Sequence, residues 1–155
     1  MRLPVGVSLL IVGAALVGLV AVTLVGRAVL APFIGSVVDA KAQAEQIVDG
    51  YYAAEQSGDD ATAVSYFSER ALTTTPAATI RANLQNTRAT WGSPQSHQET
   101  AFKVQEGAQE FGPGTTVDLT YAVTYGGHSG TEQFTLFRPN DGATMQIMAH
   151  RLALT

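Results

Sequence analysis

The sequence predicts an α+β domain attached to a single transmembrane helix. No charged side chain occurs from Leu3 to Gly26. A helix rises about 1.5 Å per residue, so this segment is long enough to cross a hydrocarbon core of roughly 30 Å. Beyond it, apolar residues recur at three- and four-residue spacing as far as Trp91, and at two-residue spacing after Pro94. Helices are therefore expected first and strands after them.

Composition excludes several classes of protein. About 120 of the 155 residues follow the apolar segment and its joint, which is enough for one compact domain. Beyond Arg27 the chain holds 13 acidic and 7 basic residues, a net charge of −6, which argues against a nucleic-acid partner. Because the chain has no cysteine, disulfides, thiolate metal sites and cysteine nucleophiles are excluded.

The apolar segment is interpreted as an uncleaved signal anchor. Two small-x-small cleavage patterns, Ala40-Lys41-Ala42 and Ala42-Gln43-Ala44, lie well beyond its end. The segment is also longer than the h-region of a signal peptide, about 7–15 residues. Residues 1–35 are therefore expected to form the anchor and a juxtamembrane joint interrupted by Pro32, and residues 36–155 the soluble domain.

Charges flanking the anchor predict its orientation. Arg2 and the terminal amine lie on one side, while Arg27 on the other side is soon followed by Asp39. The positive-inside rule then favours an inside N-terminus. The composition, rich in Ala, Gly and Val, is typical of a bacterial source. We expect a single-pass protein of the inner (cytoplasmic) membrane with a periplasmic, extracytoplasmic C-terminal domain.

Three helices are expected in the soluble domain. The first covers 36–57. The segment Ser57-Gly58-Asp59-Asp60 is expected to end it and to cap a short second helix over 60–67. Thr75 is expected to cap the third helix, which begins with Pro76 and ends near Trp91.

Four antiparallel strands in a meander are expected to follow. Their ranges are Gln95–Gln109, Thr115–Tyr125, Thr131–Arg138 and Ala143–Leu154, separated by turns that contain Gly or Pro. The second strand alternates most clearly. One face carries Val117, Leu119, Tyr121, Val123 and Tyr125, and the other carries Thr116, Asp118, Thr120, Ala122 and Thr124.

This order of elements resembles a known superfamily. The long first helix carries Ile47-Val48-Asp49-Gly50-Tyr51-Tyr52, and Arg88 precedes Gly92 and the first strand. From about Ala42 to Leu154 the chain resembles the nuclear-transport-factor-2-like (NTF2-like) cone-shaped α+β superfamily, and in particular small anchored or secreted bacterial DUF4019-type domains. The resemblance implies a curved sheet wrapped around the helices with a pocket at the open end. The superfamily includes isomerases, dehydratases and non-enzymatic members, so the fold does not determine the function.

Tyr52, Asp118 and His150 are the candidate catalytic residues. In the active-site type of this fold, a tyrosine of the first helix and acids or histidines of the strands point into the cone. Proton transfer next to a carbonyl needs a carboxylate base and a neutral donor for the developing oxyanion. Tyr51 or Tyr52 is the candidate donor, and Asp118 is the only carboxylate inside the second strand. Alternation places Asp118 opposite the apolar row, where it is expected to face solvent or a partner.

No metal or cofactor is expected. His97, His128 and His150 lack the spacing of a metal-binding pair such as H-x-x-x-H. Gly112-Pro113-Gly114 lacks the Lys-Ser/Thr of a phosphate-binding loop, so it is interpreted as a turn.

These observations favour a membrane-anchored binding or scaffolding protein, an accessory or structural subunit of a larger membrane complex. Its partners would be the lipid bilayer and either other membrane-protein subunits or a second copy in a homodimer. The expected partner face consists of Thr116, Asp118, Thr120, Thr124, Thr131, Gln133 and Thr135. The last strand would complete it with Met145, Ile147 and Ala149, or else with Gln146, Met148 and His150.

The alternative is a membrane-tethered small-molecule-binding domain of the isomerase or dehydratase type. The two interpretations differ in what occupies the cone. A scaffold is expected to fill it with side chains such as Tyr51, Phe67, Trp91 and Phe102. A ligand-binding domain is expected to hold an apolar pocket with convergent polar groups such as Tyr52, Asp118 and His150.

Overall fold

Residues 35–155 are described by the structure, a computed structural model. They form helices and one four-stranded antiparallel sheet, which confirms the α+β expectation. The predicted membrane span, Leu3 to Gly26, lies outside the described residues. Within 35–155, no helix has both the length and the apolar character needed to cross a bilayer. The chain divides after Val38, and the fold and the site lie in the unit Asp39–Thr155.

The described residues contain four helices, so the prediction of three was wrong. They are α1 (35–57), α2 (Asp60–Ser65), α3 (Glu69–Thr74) and α4 (Ala77–Trp91). The additional helix is α3, which begins because the Ser68 hydroxyl accepts a hydrogen bond from the Ala71 N–H at 3.1 Å. Phe67, expected at the end of the second helix, instead forms a bridge with Ile147 of the last strand.

One of the two predicted helix caps is confirmed. Asp59 caps α2, since its carboxylate accepts from the Thr62 N–H at 3.0 Å. The expectation that Thr75 caps α4 was wrong, because Thr75 ends α3 with its N–H donating to the Ala71 carbonyl at 2.8 Å. Pro76 takes the cap position of α4, and its carbonyl accepts from the Ile80 N–H at 3.1 Å.

The four strands pair in sequence order, as predicted. They are β1 (Pro94–Gln109), β2 (Gly112–Tyr125), β3 (His128–Pro139) and β4 (Gln146–Leu154). All three pairings are antiparallel. The predicted apolar face of β2 is confirmed, because Val117, Leu119, Tyr121, Val123 and Tyr125 are all buried.

The core lies between this inner face of the sheet and the helices. Helix α1 contributes residues at three- or four-residue spacing, with two adjacent tyrosines last: Ala40, Ala44, Val48, Tyr51 and Tyr52. Ile80 and Leu84 of α4 are buried as well. The segment between α2 and α3 closes one side, because the Ile147 N–H of β4 donates to the Tyr66 carbonyl at 2.9 Å.

The outer face of the sheet carries the residues of the expected partner face. Asp118 pairs with Thr135, and Thr120 pairs with Gln133. The register of β4, which the sequence left open, is determined by an irregularity between Thr135 and Leu136. Ala149 therefore pairs with Thr135 on the outer face. Ile147 and His150 pair with Leu136 and Phe134 of the core, so neither predicted set from β4 lies on one face as a whole.

Candidate functional site

Helix α1 directs polar side chains into the core from three positions. Tyr51, Tyr52 and Glu55 lie three or four residues apart or adjacent, so they share the buried face of the helix. Tyr51 is completely buried, and Glu55 is only 1% exposed. A buried carboxylate is costly unless hydrogen-bond donors or opposite charges surround it, so the sheet must supply its partners.

The sheet supplies a second buried carboxylate. Glu132 of β3 is spaced two residues from Phe134 and four from Leu136, which places all three on the inner face of the sheet. His150 of β4 pairs with Phe134, so it lies diagonally next to Glu132 on the same face. Tyr125 comes from the end of β2. Adjacent strands therefore bring an acid, an imidazole and a phenol to one place below α1.

Glu132 is the centre of a hydrogen-bonded group of side chains. The Tyr52 hydroxyl donates to its Oε2 at 2.6 Å, and the Tyr125 hydroxyl lies 3.3 Å from the same oxygen. His150 Nε2 lies 2.5 Å from the other oxygen, Oε1. Together with Glu55, these residues are called here the Glu132 cluster. Three donors around one fully buried carboxylate offset the free energy of removing it from water.

Glu55 joins the cluster through Tyr125, whose hydroxyl lies 3.1 Å from Glu55 Oε2. A phenol has one proton, so it cannot donate to Glu55 and Glu132 together. Burial, followed by the negative charge of Glu132, raises the pKa of Glu55 to about 7. Below that pH the protonated Glu55 carboxyl can donate a hydrogen bond to the Tyr125 oxygen. The Tyr125 hydroxyl is then able to donate its own proton to Glu132.

The tyrosines of the cluster stay neutral. Burial, and then the charge of Glu132, raises the pKa of Tyr52 and of Tyr125 far above the usual range. Burial also raises the pKa of Tyr51, with smaller effects from Glu55 and Glu132. All three phenols therefore keep their protons at any physiological pH. Tyr52 donates to Glu132, whereas the Tyr51 hydroxyl has no hydrogen-bond partner among residues 35–155.

The Glu132 cluster lies at the buried end of a pocket of about 690 Å³. Tyr51, Glu55, Glu132 and His150 line this end. Its walls come mainly from α3, α4 and β4. They combine apolar and polar side chains, the apolar ones being Phe67, Ala71, Ile80, Leu84, Trp91, Met148 and Leu152 and the polar ones Arg70, Thr74, Thr75, Asn83, Thr87 and Glu110. The His150 side chain is 18% exposed whereas that of Glu132 is not exposed, so the imidazole is the part of this pair that a bound molecule meets.

The pair of His150 and Glu132 can move a proton. When Nε2–H donates to Glu132, the lone pair of the neutral imidazole lies on Nδ1. Within residues 35–155, Nδ1 of His150 has no hydrogen-bond partner. Glu132 holds the orientation of the ring and stabilises the imidazolium that forms when the ring accepts a proton. The same ring can then return the proton as a general acid.

The structure brings together two of the three candidate catalytic residues. Tyr52 and His150 both contact Glu132. Asp118 lies on the opposite side of the sheet, where its carboxylate accepts from the Thr135 hydroxyl at 2.8 Å. Asp118 is therefore separated from the cluster by the sheet itself.

Glu132, Glu55 and Tyr125 were missed as site residues, although the sequence held a signal for the two acids. Glu132 has the same two-residue spacing as Phe134 and Leu136, which marks it as inward-facing. Glu55 follows Tyr51 by four residues, on the same helix face. The expected partner face already assigned Thr131 and Gln133 to the outer side of this strand, which places Glu132 between them on the inner side.

The other two histidines lie outside the pocket. His97 stacks on the Tyr52 ring at a centroid distance of 4.0 Å, and its Nε2 lies 3.2 Å from Asp49 Oδ1. His128 packs edge-on against Trp91 at 4.6 Å. In the part of the chain that the structure describes, no group of three or more His, Asp or Glu side chains is arranged to hold a metal ion.

Three of the four side chains that the scaffold interpretation places inside the cone line the pocket. Tyr51, Phe67 and Trp91 line it, while Phe102 is about half exposed and lies outside it. No protein-family model matches the chain, and searches of curated proteins and of solved structures found no match either. A proposal about the function of this protein therefore rests on the geometry of the pocket.

Proposed function

We propose that the unit Asp39–Thr155 binds a small organic molecule in this pocket and transfers a proton on it through His150. This is chemistry of the isomerase or dehydratase type. The proposal rests on one observation, the pair of His150 and Glu132 at the buried end of a pocket of about 690 Å³. In this pair, His150 Nε2 lies 2.5 Å from Glu132 Oε1. Small-molecule sites usually have volumes of about 300–1,000 Å³, and this pocket lies within that range.

The energetics of the cluster support a functional origin. Replacing a buried ionic group with well-packed apolar side chains is often neutral or stabilising in proteins, so stability alone gives little reason to keep two acids in the core. Here Glu55 and Glu132 are both buried, and burial together with the charge of Glu132 raises the pKa of Glu55 to about 7. Perturbed acids in a cleft are typical of sites that bind or transfer protons.

Each residue of the site has a distinct role in the proposal. His150 accepts and returns the proton, and Glu132 positions its ring. Tyr52 and Tyr125 are positioning residues that hold Glu132. The neutral Tyr51 hydroxyl, which lines the same end of the pocket, is the donor to the oxyanion that develops when a proton leaves the carbon beside a carbonyl.

The fold family and the membrane anchor are also part of the proposal. The order of elements supports an NTF2-like cone, in which the pocket would open between α3, α4 and β4. The uncharged segment from Leu3 to Gly26 supports an anchor that holds the domain on the periplasmic side of the inner membrane.

A second function, the accessory subunit of a membrane complex, is supported by a different surface. The outer face of the sheet carries short polar side chains, of which Thr131 and Gln133 are exposed. This face is on the other side of the sheet from the pocket, so partner binding there and ligand binding in the pocket are compatible.

The pocket is tested by filling it. Thr87 of α4 is half-buried and lines the pocket, whereas Thr90 on the same helix is exposed and does not. In a ¹⁹F NMR fragment screen of the full-length protein, we expect the fragments that bind the wild type to bind T87F about tenfold more weakly or worse. T90F, the matched control, should bind them as the wild type does. Equal binding to T87F would place the ligand elsewhere and contradict the proposal.

A further inference from the structure

The buried end of the pocket has an excess of acidic groups. Besides Tyr51, the titratable side chains that line the pocket are Glu55, Glu110, Glu132, Arg70 and His150. The one arginine among them is at the exposed rim, where its Nη1 contacts the Glu110 carbonyl at 3.4 Å and its guanidinium lies 5.1 Å from the centroid of the Phe111 ring. At the buried end, two carboxylates and a single imidazole line the pocket. Arg88 does not line it, but its Nη1 contacts the Glu55 carbonyl at 3.4 Å while its Nη2 pairs with Asp60 at 2.8 Å.

The hydroxyl group of Tyr51 lacks a hydrogen-bond partner. Tyr51 is completely buried, and its hydroxyl has no hydrogen-bond partner among residues 35–155 although it lines the pocket. A buried hydroxyl without a partner costs free energy, and a ligand that offers an N–H or O–H recovers it. The phenol oxygen can accept such a bond.

Aromatic rings surround the same volume. Tyr51, Phe67 and Trp91 line the pocket, and the rings of Tyr51 and Phe67 meet edge to face at a centroid distance of 6.2 Å. The negative face of an aromatic ring attracts a cation, most strongly where water is excluded. Ile80, Leu84 and Leu152 add apolar wall that a hydrocarbon body can cover.

From these three features we infer that the ligand is an organic cation, whose one protonated amine lies against the Tyr51 hydroxyl and close to the negative charges of Glu55 and Glu132. The inference rests on the proposed function, since it names the ligand class of the same pocket. A carboxylate ligand would meet two acids at the buried end. An alcohol would satisfy Tyr51 but would leave the acids without a counter-charge.

The test compares three molecules with the same body and different heads. Binding of 2-naphthylmethylamine, 2-naphthylmethanol and 2-naphthoate to the full-length protein is measured by isothermal titration calorimetry at pH 8. We expect the amine to bind about tenfold more tightly than the alcohol, and the carboxylate to bind most weakly. Equal or tighter binding of the alcohol or of the carboxylate would overturn the inference while leaving the pocket as a binding site. Failure of all three to bind would overturn the inference, and the proposed function would then stand or fall by the comparison of T87F with T90F.

A charge-neutral variant assigns the preference to the cluster. E55Q keeps the shape of the side chain and a hydrogen-bonding group for Tyr125. It is expected to reduce the preference for the amine over the alcohol to about threefold or less, with the affinity for the alcohol unchanged. E69Q removes an exposed acid of α3 that does not line the pocket, and it should keep the wild-type preference. An undiminished preference in E55Q would contradict the assignment.

Discussion

Replacing Glu132 with alanine is expected to lower the free energy of unfolding by about 3–5 kcal/mol, the usual effect of removing one partner from a buried charged group. The carboxylate is completely buried and holds the hydroxyl groups of Tyr52 and Tyr125 and the imidazole of His150. Alanine leaves all three without their partner and opens a cavity beside Phe134. Urea denaturation at pH 7, followed by circular dichroism, measures the change.

E132Q is the matched control for this substitution. Glutamine has nearly the same volume, and its amide oxygen can still accept hydrogen bonds from the two phenols. We expect E132Q to lose less than half as much stability as E132A, because the hydroxyl groups of Tyr52 and Tyr125 keep a hydrogen-bond acceptor. An E132A protein within about 1 kcal/mol of the wild type would mean that the cluster does not stabilise the core as described.

The stability of the protein is expected to depend on the ionisation of Glu55. Its pKa is about 7 in the folded protein, against 4.5 as the ordinary value. Between these two pH values the folded state keeps a proton that the unfolded state releases. The contribution of Glu55 to the free energy of unfolding is therefore largest below about pH 4.5. It decreases as the pH rises to about 7 and changes little above that.

E55Q isolates this contribution, because glutamine does not titrate. From pH 4.5 to pH 8 the wild type is expected to lose about 3 kcal/mol of stability relative to E55Q. Urea denaturation of both proteins over this pH range gives the difference directly, and the other titrating groups largely cancel. A constant difference would mean that Glu55 is an ordinary, ionised carboxylate.

Much of the fold followed from short-range patterns. The change from helical to strand spacing near Gly92 and the alternation in β2 were sufficient to predict the meander and its inner face. Helix α3 was missed because its six residues are too few for a periodic pattern. The register of β4 depends on an irregularity opposite Thr135 and Leu136, which no alternation rule signals.

The site was only partly predictable because it depends on contacts between distant parts of the chain. Tyr52 and Glu132 are 80 residues apart in sequence, and a sequence pattern does not show that two such groups meet. Tyr52 and His150 were identified from their residue types and their elements. The acid was assigned to Asp118, the carboxylate of the clearest strand, whereas the structure places a buried carboxylate on the neighbouring strand.

The central claim is that a ligand in the pocket meets the pair of His150 and Glu132. Its most direct test is the imidazole ¹⁵N and ¹H spectrum of the full-length protein during titration with a fragment that binds the wild type but not T87F. The chain has three histidines, and only His150 lines the pocket. We expect the ring signals of His150 to shift in a saturable way and those of His128 to stay in place. Saturable binding that leaves the His150 signals unchanged would contradict the account.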